Sequence, residues 1–406
     1  MQNLIVPKPY EFVPPRFNPL IYGALRPMLP LLLRKAYGVS SVEFIGQDKL
    51  RHSLQAGHGV LLAPNHSRPA DPFVISALGN ACQRPVNIMS TWHIFMENRL
   101  QRFMLQQVGI FSVHRESIDR KSLRCAENIL VTGRHPLVMF PEAIVSRTNY
   151  HLNAFLRGSA LVARRAALRR EAEKRGQVVI HPIFIRYLFD GDVAQRTAPV
   201  LEEIENRLGW QIQKDMPLRE RILKSGHALL ASKEIEYLGA ARNGPLGERI
   251  AHLKETILRP LEEKWIRNNR HADTMARVKA IRMRIFPSLL DPERSAEEGE
   301  QLWRAIADLY FVQQLHCYPE NYLDAPEHER LLEIVEHYEE DLTDKVRPHF
   351  PMRAEVHVGD ALPVPPERRI YPRGDPLMAH LRERMEGLMA TSRKTGARSG
   401  EQSRAI

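Results

Sequence analysis

Residues 60–72 read VLLAPNHSRPADP, and this stretch decides how the first part of the chain folds. The apolar run at residues 60–63 predicts a buried strand that ends at the proline following it. The closing pair Asp71-Pro72 is typical of a helix start, with the acid at the cap and proline at the first helical position. The helix should then cover Phe73 to Leu78. His66 is therefore expected in a strand-to-helix turn.

The spacing of His66 and Asp71 allows a specific pairing of their side chains. Asp71 follows five residues after His66, so its carboxylate can fold back and hold one imidazole nitrogen. The second nitrogen is then left to take up a proton, as a general base must. The same pattern also fits a histidine that merely satisfies a helix cap, and the pair alone does not decide between the two interpretations.

Three later blocks give the pair its context. In chain order they are GIFSVHR at 109–115, LVMFPEA at 137–143 and VVIHPI at 178–183. Together with the histidine block they resemble the glycerolipid acyltransferase family, which includes the lysophosphatidic acid acyltransferases. The family patterns are N-H-x4-D, G-x-x-F-x-x-R, F-P-E-G and an apolar strand ending at proline. The resemblance covers roughly residues 40 to 190, and four ordered blocks are far more specific than any one of them.

The resemblance implies a role for each block in acyl transfer. His66 would be the general base and Asp71 the residue that orients it, with direct transfer and no covalent intermediate on the neighbouring serine. Arg115 would bind the phosphate of the acceptor, and Glu142 would contact its glycerol part. Asn65, beside the histidine, is also expected at the substrate. No metal or redox cofactor is implied, and no two histidines have convincing ligand spacing.

The third block departs from the family pattern. Ala143 stands where the pattern has glycine, and Ile144-Val145 follow where many members continue with Thr-Arg. The next basic residue is Arg147, which is the candidate to replace the second phosphate-binding arginine of the family. This departure leaves the histidine and aspartate untouched but affects the expected acceptor.

Composition limits the partners and the compartment. The chain has 406 residues, 43% of them hydrophobic, and a formal net charge of +10. Such an excess suits anionic lipid headgroups, phosphorylated substrates or nucleic acid, although a merely basic soluble protein has it too. No nucleic-acid recognition motif is present, so no nucleic acid is expected. The three cysteines have no metal-ligand spacing and indicate a reducing compartment. No apolar run approaches the length of a membrane span, and no secretory signal stands at the start.

Strands alternate with helices up to residue 190 and then give way to helical patterns for about 160 residues. The predicted fold is α/β, with a mixed, largely parallel sheet flanked by helices, as in glycerolphosphate acyltransferases, and a helical insertion. Val356-His357-Val358-Gly359 resembles the family's closing strand, which favours an insertion over the rival of a separate C-terminal domain. The predicted division is an N-terminal membrane-interface segment (1–40), the acyltransferase α/β domain (41–191 plus 351–390), the helical insertion (192–350) and a disordered basic tail (391–406).

The segment before residue 40 is basic and apolar and is predicted to be a helix from Leu20 to Tyr37, broken at Pro27 and Pro30. Such a helix suits the membrane interface, and a helix packed on the core is the equal alternative. The expected protein is therefore peripheral, on the cytoplasmic side of a membrane.

The leading hypothesis for function is an acyltransferase at a membrane surface. It would move a fatty acyl group from acyl-CoA or acyl carrier protein to a hydroxyl of a glycerophospholipid precursor, with a lysophospholipid-type acceptor such as 1-acylglycerol-3-phosphate. The alternatives are the same chemistry on a non-phosphate lipid acceptor and a non-catalytic basic scaffold that binds lipid. The sequence leaves open the acceptor, the donor, the acyl chain length, the role of the insertion and the oligomeric state.

Overall fold

The computed structural model describes residues 5–266, 273–369, 371 and 374–403, with side chains up to residue 394. The described chain divides into two compact units. The sheet unit consists of Tyr10–Leu188 and the part from Phe350 onward. The helical unit consists of Phe189–His349 and the described residues up to Pro9. The four sequence blocks all lie in the sheet unit.

A single sheet of eight strands forms the centre of the sheet unit within the described residues. Its spatial order is β1-β7-β6-β2-β5-β3-β4, with β8 beside β6. The pairs β1–β7, β6–β2, β2–β5, β5–β3 and β3–β4 are parallel, so the predicted largely parallel α/β fold is confirmed. The strands are β1 (Val39–Ile45), β2 (Gly59–Pro64), β3 (Asn87–Thr91), β4 (Ile110–Val113), β5 (Leu137–Val138), β6 (Val178–Phe189), β7 (Met352–Val358) and β8 (Leu362–Pro363).

Helices cover both faces of this sheet, as a parallel sheet requires. The helices before β6 are α1 (Pro19–Leu25), α2 (Leu29–Tyr37), α3 (Gln47–Gln55), α4 (Asp71–Ala81), α5 (Arg99–Gln107), α6 (Arg120–Thr132) and α7 (Gly158–Ala172). Every residue of β2 is buried, and alternate residues face opposite sides. Leu61 and Ala63 belong to one core cluster with α6 and α7. Val60 and Leu62 lie outside that cluster and face the other layer.

Six helices build the described part of the helical unit: α8 (Val193–Arg207), α9 (Leu218–Leu238), α10 (Leu246–Trp265), α11 (Thr274–Leu289), α12 (Ala296–His316) and α13 (His328–Thr343). No strand occurs in its described residues from 190 to 349. Its core is a cluster of buried hydrophobic side chains, most of them from α9 to α12. None of the helices in the described chain is long and apolar enough to cross a membrane.

The chain returns to the sheet after the helical unit. β7 inserts between β1 and β6, and helix α14 (Pro376–Ser403) then packs on the cluster that holds α6 and α7. The Gly359 N–H donates to the Pro182 carbonyl, while Glu355 pairs with Arg186, so β7 runs antiparallel to β6. The chain therefore leaves and re-enters the sheet at neighbouring strand ends.

Two local predictions need correction. Asp71 is the first residue of α4 rather than its cap, because its carboxylate is taken up by other donors and Ala70 occupies the cap position. Helix α14 continues through residues 391–403, so the prediction of a disordered tail is wrong as far as Ser403. Residues 404–406 lie outside the described part.

The N-terminal segment predicted for residues 1–40 is divided between the units. Its part from Tyr10 belongs to the sheet unit, and the Ser112 N–H of β4 donates to the Val13 carbonyl at 3.0 Å. The predicted break in the following helix is confirmed, since the 3-10 turn Arg26–Met28 separates α1 from α2. Residues 1–4 lie outside the described chain.

Candidate active site

The side chains of His66 and Asp71 meet in the turn between β2 and α4. Nδ1 of His66 lies 2.8 Å from Oδ2 of Asp71, and the same oxygen accepts the Arg68 N–H at 2.9 Å. Asp71 is fully buried, whereas the His66 side chain keeps 16% exposure. With Nδ1 held by the carboxylate, Nε2 is the nitrogen left for a substrate proton. The geometry is that of a histidine and its orienting acid.

Tyr187 completes the surroundings of Asp71. Tyr187 lies on β6 and its ring is buried; its hydroxyl donates to Oδ1 of Asp71 at 2.5 Å. Burial and the neighbouring carboxylate raise the pKa of Tyr187 well above its ordinary value, so the phenol stays a donor. The guanidinium carbon of Arg68 lies 5.4 Å from the centre of the Tyr187 ring. Asp71 thus receives hydrogen bonds from His66, Arg68 and Tyr187.

Two asparagines hold β6 where it extends past the end of β2. The Asn65 side chain accepts the Ile185 N–H at 2.7 Å and donates to the Ile185 carbonyl at 3.0 Å. Asn149 makes the same pair of bonds to Tyr187, at 2.9 and 2.7 Å. Both side-chain amides are fully buried. They make the hydrogen bonds to the β6 backbone that a neighbouring strand would otherwise make. Asn65 thus satisfies the backbone of Ile185, and its predicted contact with substrate stays a prediction.

Glu142 holds the backbone of the histidine. One carboxylate oxygen accepts the His66 N–H at 3.1 Å, and the other accepts the backbone and side-chain N–H groups of Asn153 at 2.8 and 3.0 Å. The side chain is 1% exposed, and burial raises the pKa of Glu142 to about 7, against the effect of these donors. On the other side, the Ser146 N–H donates to the His66 carbonyl at 2.8 Å. Both backbone groups of His66 are thereby fixed.

The ring of His66 also has an apolar neighbour. Phe140 stacks on the imidazole with ring centroids 4.0 Å apart and an interplanar angle of 24°. The Phe-Pro-Glu part of the third block therefore serves the histidine twice, through the Phe140 ring and through the Glu142 carboxylate. Together these contacts leave the imidazole little freedom to rotate.

The C-terminal helix reaches the same network. Arg382 of α14 donates to the carbonyls of Leu152 and Asn153, both at 2.8 Å. Since Asn153 bonds Glu142 and Glu142 bonds His66, the contact links α14 to the histidine turn through the loop after β5. The sequence showed no sign of this support, because the residues involved are more than 200 positions apart.

Arg115 lies two residues beyond β4 and is partly buried. Burial lowers the pKa of its guanidinium, while the adjacent Glu116 carboxylate opposes that shift. His93, just beyond the neighbouring strand β3, has its pKa lowered to about 4 by burial and then by the charge of Arg115. The two side chains therefore lie near each other at one corner of the sheet edge, and Arg115 carries its charge. Three interstrand spacings separate β2 from β4, so the ends of these strands lie about 14 Å apart. The side chains of His66 and Arg115, together with a bound acceptor, would have to span that distance.

The loop after Glu142 uses unusual backbone angles. Ala143 and Arg147 have φ values of 55° and 49°, in the left-handed region that favours glycine. The glycine of the family pattern thus corresponds to a backbone requirement that Ala143 meets at a cost. Arg147 is 7% exposed, and its predicted contact with an acceptor phosphate stays a prediction.

No group of three or more His, Cys, Asp or Glu side chains in the described residues is arranged to hold a metal ion. In a comparison with known families, residues 41–186 match the family model described as Acyltransferase. A comparison of the chain with curated proteins found no match. The matched region begins in β1 and ends one residue before Tyr187, and it contains all four blocks. The match to residues 41–186 supports acyl transfer as the general chemistry of this region.

We expect Ala143→Gly to stabilise the protein. Left-handed backbone costs an L-residue about 1–2 kcal/mol, part of which glycine loses again through the entropy of the unfolded chain. The expected net gain is up to about 1 kcal/mol in the free energy of unfolding, measured by urea denaturation. Ala379→Gly, at an exposed position in α14, is the matched control and should destabilise by about 1 kcal/mol. Equal effects of the two substitutions would contradict the backbone argument.

Proposed function

We propose that the protein transfers a fatty acyl group from a thioester donor, acyl-CoA or acyl carrier protein, to a hydroxyl of a glycerophospholipid precursor. The observation that carries the proposal is the 2.8 Å contact between Nδ1 of His66 and the buried Asp71 carboxylate. That contact leaves Nε2 as the base, inside the domain that matches the acyltransferase model. The leading acceptor is 1-acylglycerol-3-phosphate.

In the proposed reaction, Nε2 of His66 removes the proton of the acceptor hydroxyl while its oxygen attacks the thioester carbonyl. The resulting tetrahedral oxyanion then collapses, the carbon–sulfur bond breaks, and the imidazolium returns the proton to the departing thiolate. Asp71 stabilises the imidazolium that forms in between. Tyr187 and the Arg68 N–H keep the carboxylate in place, so the imidazole is oriented before the acceptor arrives.

The acceptor phosphate is assigned in this proposal to Arg115. A guanidinium at the carboxyl edge of an α/β sheet can bind a phosphate bidentately. The neighbouring His93 is kept neutral near pH 7 by its lowered pKa and can therefore serve as a neutral hydrogen-bonding group. Glu142 acts through the backbone of His66, which replaces the direct glycerol contact expected from the family resemblance.

A non-phosphate lipid acceptor is the second candidate, and Ile144 favours it. This side chain is 3% exposed and lies where many family members have threonine, followed by arginine. The described loop thus has an apolar residue in place of a polar one near the histidine. A scaffold without catalytic activity is disfavoured, because a buried carboxylate aimed at a partly exposed histidine has no evident use in passive binding.

Membrane association is also proposed, through α1 and α2. Four apolar side chains of these helices and the turn between them are exposed by 41% to 83%: Leu20, Met28, Leu31 and Leu32. Arg34 and Lys35 in the last turn of α2 are exposed as well. Exposed apolar and basic groups on a short broken helix suit the interface of an anionic bilayer, where the apolar side chains enter and the cations stay at the headgroups.

The test of the mechanism is transfer from a radiolabelled acyl donor to a panel of lysolipids. His66→Ala should lower kcat by about 10²–10⁴, the contribution of a general base, and Asp71→Asn should lower it comparably because the imidazole loses its orientation. Both variants should keep their affinity for the acyl donor. Substantial turnover by purified His66→Ala would contradict the mechanism.

Tyr187→Phe provides a graded comparison in the same assay. It removes one hydrogen bond to Asp71 and leaves the ring in place, so kcat should fall about three- to tenfold while KM for the acceptor changes little. A purely structural role would instead lower the free energy of unfolding with kcat of the folded enzyme unchanged.

The acceptor is tested with Arg115→Ala. With 1-acylglycerol-3-phosphate, kcat/KM should fall at least tenfold, since a charge-assisted contact to phosphate is lost, and KM for the donor should stay within about twofold. A matched monoacylglycerol without phosphate should be used equally well by wild type and variant. An equal loss with both acceptors would assign Arg115 a structural role and support the non-phosphate alternative.

Membrane binding is tested by flotation with vesicles that contain phosphatidylglycerol. The combined substitutions Leu20→Ser, Met28→Ser and Leu31→Ser should weaken binding at least tenfold, since each removes about 1–2 kcal/mol of apolar transfer. High salt should weaken binding of the wild type through screening. Ile235→Ser, which alters an exposed apolar residue of α9, is the control and should bind as the wild type does. Unchanged binding of the triple variant would exclude α1 and α2 as the contact.

A further inference from the structure

A groove of about 700 Å³ runs between α6 and α7 on the outside of the sheet unit. Arginines line both of its walls: Arg120 and Arg124 on α6, and Arg165 and Arg169 on α7. Arg169 bonds Glu127 at 2.9 Å and Asn128 at 2.7 Å. For the other three arginines, the described part of the chain provides no ion pair. The groove therefore has an excess of positive charge that the sheet unit itself does not neutralise.

One end of the groove is apolar. Ile118 is 71% exposed and Leu161 is 42% exposed, and both lie among the groove residues. These two aliphatic side chains offer apolar contact area to a partner that binds the groove. Apolar contact area next to a row of charges suits a protein partner, whose orientation the charges would set.

The apolar end of the groove lies on the side of the candidate active site. Helix α6 follows β4, and α7 starts after the loop that leaves β5. Because both helices run back along a parallel sheet, their first turns lie at the edge where the strands end. The loop to α6 carries Arg115, and the loop to α7 carries Glu142 and Asn153. Both walls of the groove thus begin at loops that carry candidate site residues.

The spacing of the arginines suits a helix rather than a nucleotide. Residues four apart on a helix are about 6 Å apart along its axis, so Leu161, Arg165 and Arg169 form a row about 12 Å long, matched by Arg120 and Arg124 on the opposite wall. An acidic helix that presents carboxylates at the same i, i+4 interval can pair with both rows. These arginines are exposed, in contrast to the enclosed, convergent donors that bind a nucleotide phosphate.

We propose that the α6–α7 groove docks an acidic helix of a protein that carries the acyl thioester, and thereby presents the thioester at the edge of the sheet near His66. This inference rests on the proposed function, because a carrier is needed only if the protein uses a thioester donor. It adds to that proposal the choice of a carrier protein as the donor and the surface that recognises it.

The experiment compares Arg124→Glu, Arg165→Glu and the double variant with Arg134→Glu. Arg134 is an exposed arginine two residues past the end of α6, at the opposite end of that helix from the apolar patch. Binding of a palmitoyl-loaded acyl carrier protein is measured by calorimetry on the full chain. The double variant should bind at least about tenfold more weakly, the control within about twofold, and wild-type binding should weaken with salt.

Turnover separates the possible ligands of the groove. With palmitoyl carrier protein as donor, kcat/KM of the double variant should fall at least about tenfold; with palmitoyl-CoA it should stay within about twofold, which also shows that the variant is folded. An equal loss with both donors, or wild-type binding to the carrier by the double variant, overturns the inference. The inference is also overturned if the double variant binds the carrier as the wild type does but binds vesicles of phosphatidylcholine and phosphatidylglycerol more weakly. The groove would then face a membrane.

Failure of the proposed function has a different signature. A wild-type protein that transfers acyl groups from neither donor contradicts the proposed function, whereas the calorimetric comparison, which needs no turnover, still decides whether the groove binds the carrier. Transfer from palmitoyl-CoA without detectable carrier binding leaves the proposed function standing and overturns the docking inference.

Discussion

The candidate site depends on one buried charge. Asp71 has no exposed surface, so its carboxylate is tolerable only if protein donors replace water around it. The donors come from three places: the His66 ring in the turn, the Arg68 backbone beside it and the Tyr187 hydroxyl on β6. Satisfying this carboxylate therefore fixes the turn against the neighbouring strand. The orientation of His66 follows from a requirement of folding.

The local part of this arrangement can be predicted from the sequence. The strand, the turn, the start of the helix and the pairing of His66 with Asp71 all follow from residues within a dozen positions, where spacing alone limits the geometry. Tyr187 is 116 positions from its partner, and neither periodicity nor a short motif connects the two. One signal was available, since a tyrosine near the end of an apolar, buried strand needs a partner for its hydroxyl.

The same limit applies to Asn65 and Glu142, for which the sequence predicts contacts with the substrate. A motif records which residue type is needed, but it does not record whether the side chain faces a ligand or the backbone. Both are buried and engaged with main-chain groups: Asn65 with Ile185, and Glu142 with His66 and Asn153. They act on the histidine by holding the segments around it, as supporting residues of an active site commonly do. The left-handed conformation of Ala143 in the same loop shows how tightly that backbone is constrained.

The long stretch of chain between β6 and β7 is compatible with this site because of the direction of β7. Since β7 lies beside β6 and runs antiparallel to it, the chain can leave one strand and enter the other at adjacent ends. The entropy of closing such a loop grows only slowly, by about 0.6 kcal/mol for each doubling of length, so a long excursion costs the sheet little. The sheet unit does depend on the segment after residue 350, because Arg382 of α14 donates to the carbonyls of Leu152 and Asn153. The histidine turn is thus supported from beyond residue 186, where the family match ends, and a fragment confined to the matched region would lack that support.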